Sequence, residues 1–394
     1  MNILSIETSC DETAVSIVRA DGDFPDATYT LLGNALFSQI DIHREYGGVF
    51  PMVAKREHAK TLVPMTERAL KEAELLSEHA EKLESDTDES LRTLFYREEE
   101  LADALIPFVE TYAKPDIDVI AVTHGPGLEP ALWVGVNFAK ALAMLWGIPV
   151  VGTNHMEGHV LASVFDGTKL APLSFPAVSL LISGGHTELL KMKSWTEYEM
   201  LGQTRDDAVG EAFDKAARMM GLQYPGGPEI SVRAARAREK NLPPYTKLPK
   251  PMIDSGDCDF SFSGLKTAVR YAIRDITGEK EMTEEEREAL SRDFEDVVTE
   301  VLLKKSILAV EESNAHALIL GGGVTANSYI REQFKLYFNK KYPDLALHFP
   351  ERNLSTDNSI MIALAGHARL DESHSAEGTQ TSLKADGNLS LSQG

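Results

Sequence analysis

The run Ile3-Leu4-Ser5-Ile6-Glu7-Thr8-Ser9-Cys10-Asp11-Glu12-Thr13-Ala14-Val15-Ser16-Ile17-Val18 decides the fold. An apolar strand, a polar tip and a second apolar strand read as a β-hairpin. Thr8, Ser9 and Thr13 bring hydroxyls to the tip, and Glu7, Asp11 and Glu12 bring carboxylates able to hold a metal-bound or polar ligand. The design returns where Val178-Ser179-Leu180-Leu181-Ile182 turns through Ser183-Gly184-Gly185-His186-Thr187 into Glu188-Leu189-Leu190. The chain therefore contains an internal repeat of supersecondary structure.

A third turn follows the apolar strand Ala317-Leu318-Ile319-Leu320. It reads Gly321-Gly322-Gly323-Val324-Thr325-Ala326-Asn327 and leads into a helix at Tyr329-Ile330-Arg331-Glu332-Gln333-Phe334. Glycines let the backbone approach a phosphate or ribose closely, and the following helix offers free N–H groups at its positive dipole end. No G-x-x-x-x-G-K-[ST] loop is present and no G-x-G-x-x-G follows the first strand, which excludes a Walker-type ATPase and a dinucleotide-binding dehydrogenase. Two hairpin tips and one nucleoside loop instead suggest the two-lobed α/β architecture of actin, Hsp70 and the sugar kinases (ASKHA), with a nucleotide in the interlobe cleft. Elsewhere Val119-Ile120-Ala121-Val122 ends at His124-Gly125-Pro126-Gly127, and a helix over 130–145 returns to Val150-Val151, implying mostly parallel sheets. A helix over 206–220 carries Asp207, Glu211 and Asp214 on one face, where three carboxylates suit ribose hydroxyls, a cation or a basic partner.

The stretch His155-Met156-Glu157-Gly158-His159 places two imidazoles four residues apart, on one side of a helix, where they can share a metal ion. In the metalloprotease pattern a glutamate directly follows the first histidine. Glu157 lies one residue later, about 200° round the helix from His155, so a protease reading lacks its general base.

Together with Gly125-Pro126-Gly127-Leu128, Glu211-Ala212-Phe213-Asp214-Lys215, Tyr224-Pro225-Gly226-Gly227-Pro228, Phe260-Ser261-Phe262-Ser263-Gly264-Leu265-Lys266-Thr267 and Thr356-Asp357-Asn358, these motifs resemble the signature set of the tRNA N6-adenosine threonylcarbamoyltransferases. The resemblance runs from Asn2 to about residue 370 and is to the bacterial and mitochondrial branch, formerly described as glycoproteases. It implies transfer of a threonylcarbamoyl group from threonylcarbamoyl-AMP to the exocyclic amine of the adenine at position 37, just 3′ of the anticodon, in tRNAs reading ANN codons. AMP is then the leaving group. Carried over by position, His155, His159 and Asp357 match the metal ligands, an N/N/O set suited to Fe²⁺ or Zn²⁺, with Mg²⁺ accompanying the nucleotide. Leu181, Ile182, Ser183, Gly184, Gly185, Asp214, Gly227 and Asn327 match the substrate-binding positions, while Asp11 and Glu12 are candidates for a base or for tRNA contacts. The resemblance also implies, for a bacterial member, a catalytically silent paralogue and a small ATPase as partners, with a homodimer as a further arrangement.

The chain of 394 residues, 43% of them hydrophobic, suffices for two lobe cores, expected at 1–150 and 151–370 with the last helix returning to the first lobe. Cys10 and Cys258 make no disulfide framework, and the N-terminus opens directly in a strand with no apolar run long enough for a bilayer, so a cytoplasmic protein without membrane attachment is expected. The net charge of -22 is unusual for an enzyme that must meet tRNA phosphates. Part of it sits in an acidic stretch at about 72–110, read as a helical insertion, and part in the tail 371–394, read as disordered. Lys55-Arg56, Lys247, Lys250, Arg270, Arg274, Lys304-Lys305 and Lys340-Lys341 are the candidate phosphate contacts. Two other classes fit parts of the pattern. A small-molecule kinase of actin-like fold would use the glycine loops without needing the histidine pair, and a non-catalytic paralogue acting as a scaffold would have lost the metal ligands.

Overall fold

The computed structural model describes residues 1–79, 81–278 and 280–393. Among them, β1 (Asn2–Glu7), β2 (Glu12–Asp21), β3 (Thr28–Ser38), β4 (Val119–Gly125) and β5 (Val150–Asn154) form one sheet in the order β3-β2-β1-β4-β5. A second sheet, built of β6 (Ala177–Ile182), β7 (Thr187–Met192), β8 (Tyr198–Gln203), β9 (Ala317–Gly321) and β10 (Ala346–His348), runs β10-β9-β6-β7-β8. Each set thus has its own third, second, first, fourth and fifth strands side by side. In each, the first three strands pair antiparallel and the last two run parallel to the first. This duplicated order is the actin-like α/β fold. The sheets are mixed rather than mostly parallel, because the short turns after β1 and β6 can join only antiparallel neighbours, whereas parallel pairs need long crossovers.

The chain divides into two compact units. The first comprises Met1–His43, Val49–Ala171 and Asp357–Gln393; the second comprises Arg44–Gly48 and Pro172–Thr356. The boundary expected at 150/151 falls too early, because β5 extends the first sheet beside β4 and the helix His155–Val164 follows it in the same unit. In the first unit Leu4, Ile6, Val15 and Ile17 point into a core shared with the helices Pro51–Glu72 and Glu129–Trp146. The alternate residue Ser16 meets Ser359 at 2.5 Å, so the apolar helix Ser359–Ala368 packs on the other face of that sheet. In the second unit Val178, Leu180 and Ile182 pack against the helices Val209–Met219 and Glu284–Ser313, the latter opened by a capping box between Thr283 and Glu286.

The acidic stretch forms the helices Ser85–Leu94 and Glu99–Thr111, and its Leu91, Phe95, Leu101 and Leu105 are fully buried in the first core. The helix expected over 206–220 begins only at Val209. Asp206 instead accepts from the N–H groups of Phe262 and Ser263 and from the hydroxyls of Ser261 and Ser263, which fixes it outside the helix. Over residues 371–393 the tail is ordered rather than disordered: it contains the helix Ala376–Ser382, and Leu383 is only 3% exposed in the first core. Backbone pairing between His374 and Val150, at 2.8 and 3.0 Å, compensates for the scarcity of apolar groups that suggested disorder.

Candidate metal centre and nucleotide pocket

Asn154 closes β5 and caps the helix His155–Val164, its side-chain oxygen accepting from the N–H of Met156 at 2.8 Å. The two histidines then lie one turn apart with ring centroids 4.7 Å from each other. Asp357 comes from the turn just before the helix Ser359–Ala368, whose side-chain cap is Asn358. Its Oδ1 lies 3.1 Å from His159 Nε2 and 3.4 Å from His155 Nε2. Metal bonds of about 2.0–2.2 Å put neighbouring donor atoms about 3–3.5 Å apart, as both histidines are from Asp357, and all three donor atoms lie within 4.8 Å of one another, a cluster that could hold one divalent ion. The Asp357 side chain keeps 20% of its area exposed, which leaves the cluster a face open to a further ligand.

The far side of His155 is fixed by the first hairpin. Its Nδ1 lies 2.9 Å from Glu7 Oε2 and 3.1 Å from Ser9 Oγ. Glu7, fully buried, also accepts from Thr123 Oγ1 at 2.6 Å and from the Ser9 N–H at 2.5 Å. A carboxylate on one imidazole nitrogen presents the other nitrogen as a ligand, the usual outer arrangement of a metal-bound histidine. Burial opposes a charge on His155, yet Asp357 and Glu7 outweigh it and raise its pKa well above the usual range. Burial likewise works to protonate Asp357 and Glu7, and His155 overcomes it and keeps both ionised. Burial keeps the pKa of His159 low, so it offers a neutral lone pair. Two carboxylates facing one imidazole are chemistry that favours a cation.

Asp11 and Glu12 follow Glu7 at the same tip. The Asp11 carbonyl accepts from the Gln39 N–H at 2.9 Å, and Glu12 Oε1 accepts from Ser38 Oγ at 3.3 Å. Burial first, then the neighbouring Asp11 and Asp357, push the Glu12 pKa well above the usual carboxylate range. Glu157 takes no part in the cluster. Its buried carboxylate is forked by Arg369, with contacts of 2.9 and 3.1 Å.

The second unit contains a cavity of about 410 Å³ lined by Gly184, Asp214, Gly227 and Asn327, together with Tyr224, Pro225, Gly323 and Val324. Asp214 Oδ1 accepts from the Gly226 N–H at 2.6 Å and so holds the turn on which Gly227 stands. Gly322 joins the glycine turn to β6: its φ is +92°, and a Cβ there would stand 2.5 Å from the Ile182 carbonyl oxygen. Only glycine meets both conditions. The Asn327 oxygen caps the next helix at the Ile330 N–H, 3.0 Å away, and its amide donates to the buried Glu295 at 2.6 Å.

The chain matches the family profile described as tRNA N6-adenosine threonylcarbamoyltransferase over residues 30–82 and 101–364. It is 41% identical over 370 residues to the protein of that name from Paraburkholderia xenovorans, covering 94% of this chain and 92% of the relative. With the one from Nitrosomonas europaea it shares 40% identity over 392 residues, 99% of each chain. The chain belongs to the tRNA N6-adenosine threonylcarbamoyltransferase family. It is therefore a transferase of tRNA modification, which decides against the kinase and scaffold readings. Among the described residues, no helix is long and apolar enough to cross a membrane.

Within this transferase the structure brings His155, His159 and Asp357 into one cluster, and Gly184, Asp214, Gly227 and Asn327 to one cavity. Leu181 and Ile182 are fully buried in β6, while Ser183 and Gly185 stand on the turn after it without lining that cavity. The sequence reading missed Glu7 as the partner of His155, and Thr123 behind it. The available signal was a carboxylate ending an otherwise apolar, buried strand. Lys305 is not a phosphate contact: it is buried, with its ammonium on the Asp257 carbonyl at 2.6 Å and Ser255 Oγ at 2.7 Å. Lys55 and Lys250 are engaged by Glu98 and Glu300 at 2.7 and 2.5 Å.

Proposed function

We propose that this chain transfers threonylcarbamoyl from threonylcarbamoyl-AMP to the exocyclic amine of adenine 37 in tRNAs reading ANN codons, with one divalent ion held by His155, His159 and Asp357. The observation that carries this reading is the convergence of both imidazole Nε2 atoms on Asp357 Oδ1 while Glu7 holds His155 from behind. When bound, Fe²⁺ or Zn²⁺ supplies Lewis acidity toward the carbamoyl oxygen, so the chemistry needs no nucleophile from the protein. The amine nitrogen bonds to the carbamoyl carbon, the carbon–oxygen bond to the phosphate of AMP breaks, and the amine proton leaves. Glu12 is the candidate acceptor of that proton, because a raised pKa makes its ionised carboxylate a stronger base. Asp11 beside it is the second candidate, or a tRNA contact.

The cavity of the second unit suits the adenosine part. Asp214 is offered to the ribose hydroxyls, Gly227 and the 323–327 turn to the nucleoside, and the Leu181-Ile182-Ser183-Gly184-Gly185 run to phosphate or carbonyl oxygen through its backbone. Mg²⁺ would accompany the phosphates of a bound nucleotide. The acidic charge of the chain favours a partner that shares the contacts to tRNA, and the family resemblance suggests a catalytically silent paralogue and a small ATPase, with a homodimer as a further arrangement. A cytoplasmic location goes with these partners.

The test is metal analysis together with transfer of label from threonine, bicarbonate and ATP into tRNA, with the synthase of the adenylate supplied. The reading expects one ion per chain and transfer that depends on it. Equal transfer by the metal-stripped protein would overturn it.

A further inference from the structure

The C-terminal segment runs along the two elements that carry the metal cluster, all within the first unit. It pairs with β5 through His374 and Val150, and then inserts Leu383 beside Gly152, where a Cβ on the glycine would stand 2.6 Å from the leucine. Beyond Leu383 it crosses the turn after β4. The Asp386 N–H donates to the His124 carbonyl at 2.8 Å, His124 Nδ1 donates to the Lys384 carbonyl at 3.2 Å, and the Gly127 N–H donates to the Gly387 carbonyl at 3.2 Å. A Cβ on Gly125 would stand only 2.0 Å from the Asp386 carbonyl oxygen, so the turn and the segment lie in direct backbone contact. Asn154 completes the set with a long 3.5 Å contact from its amide to the Leu389 carbonyl.

Two of these anchors lead to His155. Asn154 receives the segment with its amide nitrogen and caps the histidine-bearing helix with its oxygen. The turn continues into Leu128, whose N–H donates to the Ser9 carbonyl at 2.8 Å, and Ser9 Oγ is 3.1 Å from His155 Nδ1. We propose that residues 374–391 form a positioning strap that fixes the Gly125-Pro126-Gly127 turn and the first turn of the helix His155–Val164, and through them the two histidines. Among the described residues, no hydrogen bond or ion pair joins the strap to the three ligands, and it acts by removing freedom from the groups that hold them. The proposal rests on the reading of the cluster as a metal centre, and its test separates the two.

Amide hydrogen exchange and Zn²⁺ titration would be run on the parent, on Asp386→Pro, which loses the N–H given to His124, and on Gly387→Val, whose Cβ would press on the Gly127 carbonyl at 2.9 Å. The amides of Leu128, Met156 and Glu157, none bonded to the strap, are expected to exchange at least tenfold faster, and Zn²⁺ affinity to fall by about tenfold or more. Amides of the second unit, such as those of Gly226 and Ile330, should not change. A shortened chain ending at Ala385, which keeps Leu383 in the core, provides the same readouts should the point variants leave the strap in place. Parental exchange and parental Zn²⁺ affinity in that chain would overturn the strap. Absence of Zn²⁺ uptake by the parent would overturn the metal reading instead, and exchange at Met156 and Leu128 would still decide the strap.

Discussion

The tip of β1 and β2 and the tip of β6 and β7 occupy the same place in two sheets of identical strand order, yet they carry opposite chemistry. The first presents Glu7, 2.9 Å from His155 Nδ1, with Asp11 and Glu12 following it in the chain; the second presents Ser183, Gly184 and Gly185 beside the cavity that holds Asp214 and Asn327. Carboxylates around a buried imidazole make a place for a cation. Glycines with open backbone N–H groups make a place for an anion or a nucleoside. On the proposed reading a duplicated scaffold carries two functions on the residues of two turns, and each can be attacked without the other.

The largest expected effect comes from His159→Ala. This variant should lose its bound metal and its transfer activity, while nucleotide affinity in the second unit stays within about tenfold of the parent, or about 1.4 kcal/mol. Full metal occupancy in this variant, measured by elemental analysis, would remove His159 from the ligand set.

The first tip also has a pH signature. Burial depresses the pKa of His58 to about 4, and it stays neutral with one nitrogen on Thr13 Oγ1 at 2.8 Å and the other on the Cys10 carbonyl at 3.0 Å. The unfolded chain takes up a proton near the ordinary value of 6.5 that the folded chain refuses. Stability is therefore full above pH 6.5 and falls as the pH drops toward 4, by up to about 3 kcal/mol. Denaturant midpoints across that range should show the loss, and His58→Gln should flatten it.

At the second tip the informative change is Gly322→Ala. A Cβ 2.5 Å from the Ile182 carbonyl, at φ +92°, should cost about 1–3 kcal/mol of stability and weaken nucleotide binding. Metal uptake by the first unit should be unaffected, as a parallel titration would show. A smaller effect is expected from Glu7→Gln, which keeps the shape but removes the charge behind His155. Metal affinity should fall about 10–100-fold. An unchanged dissociation constant would make Glu7 a buried structural acid and no more.

Local patterns in the chain were enough to place both hairpins, the glycine turn and the histidine pair, because each rests on a spacing of a few residues. Glu7 and His155 are separated by 148 positions and Glu157 and Arg369 by 212, and no periodicity announces such contacts. The pairing of Arg369 with Glu157 nonetheless agrees with the local argument that this glutamate faces away from the histidines. The tail misled because its anchoring is mostly backbone to backbone, through His374, Asp386 and Gly387, and composition does not register such bonds. Among the described residues of the tail, the buried apolar ones are Leu383 and Leu391. Lys305 misled in the opposite sense, as a lysine whose ammonium is satisfied inside the second unit.

The most direct test of the division between the two tips is His155→Ala, measured for both nucleotide affinity and threonylcarbamoyl transfer to tRNA. The account predicts nucleotide binding within about tenfold of the parent and no detectable transfer. Transfer at the parental rate would contradict it, and would reduce any ion at His155, His159 and Asp357 to a structural part.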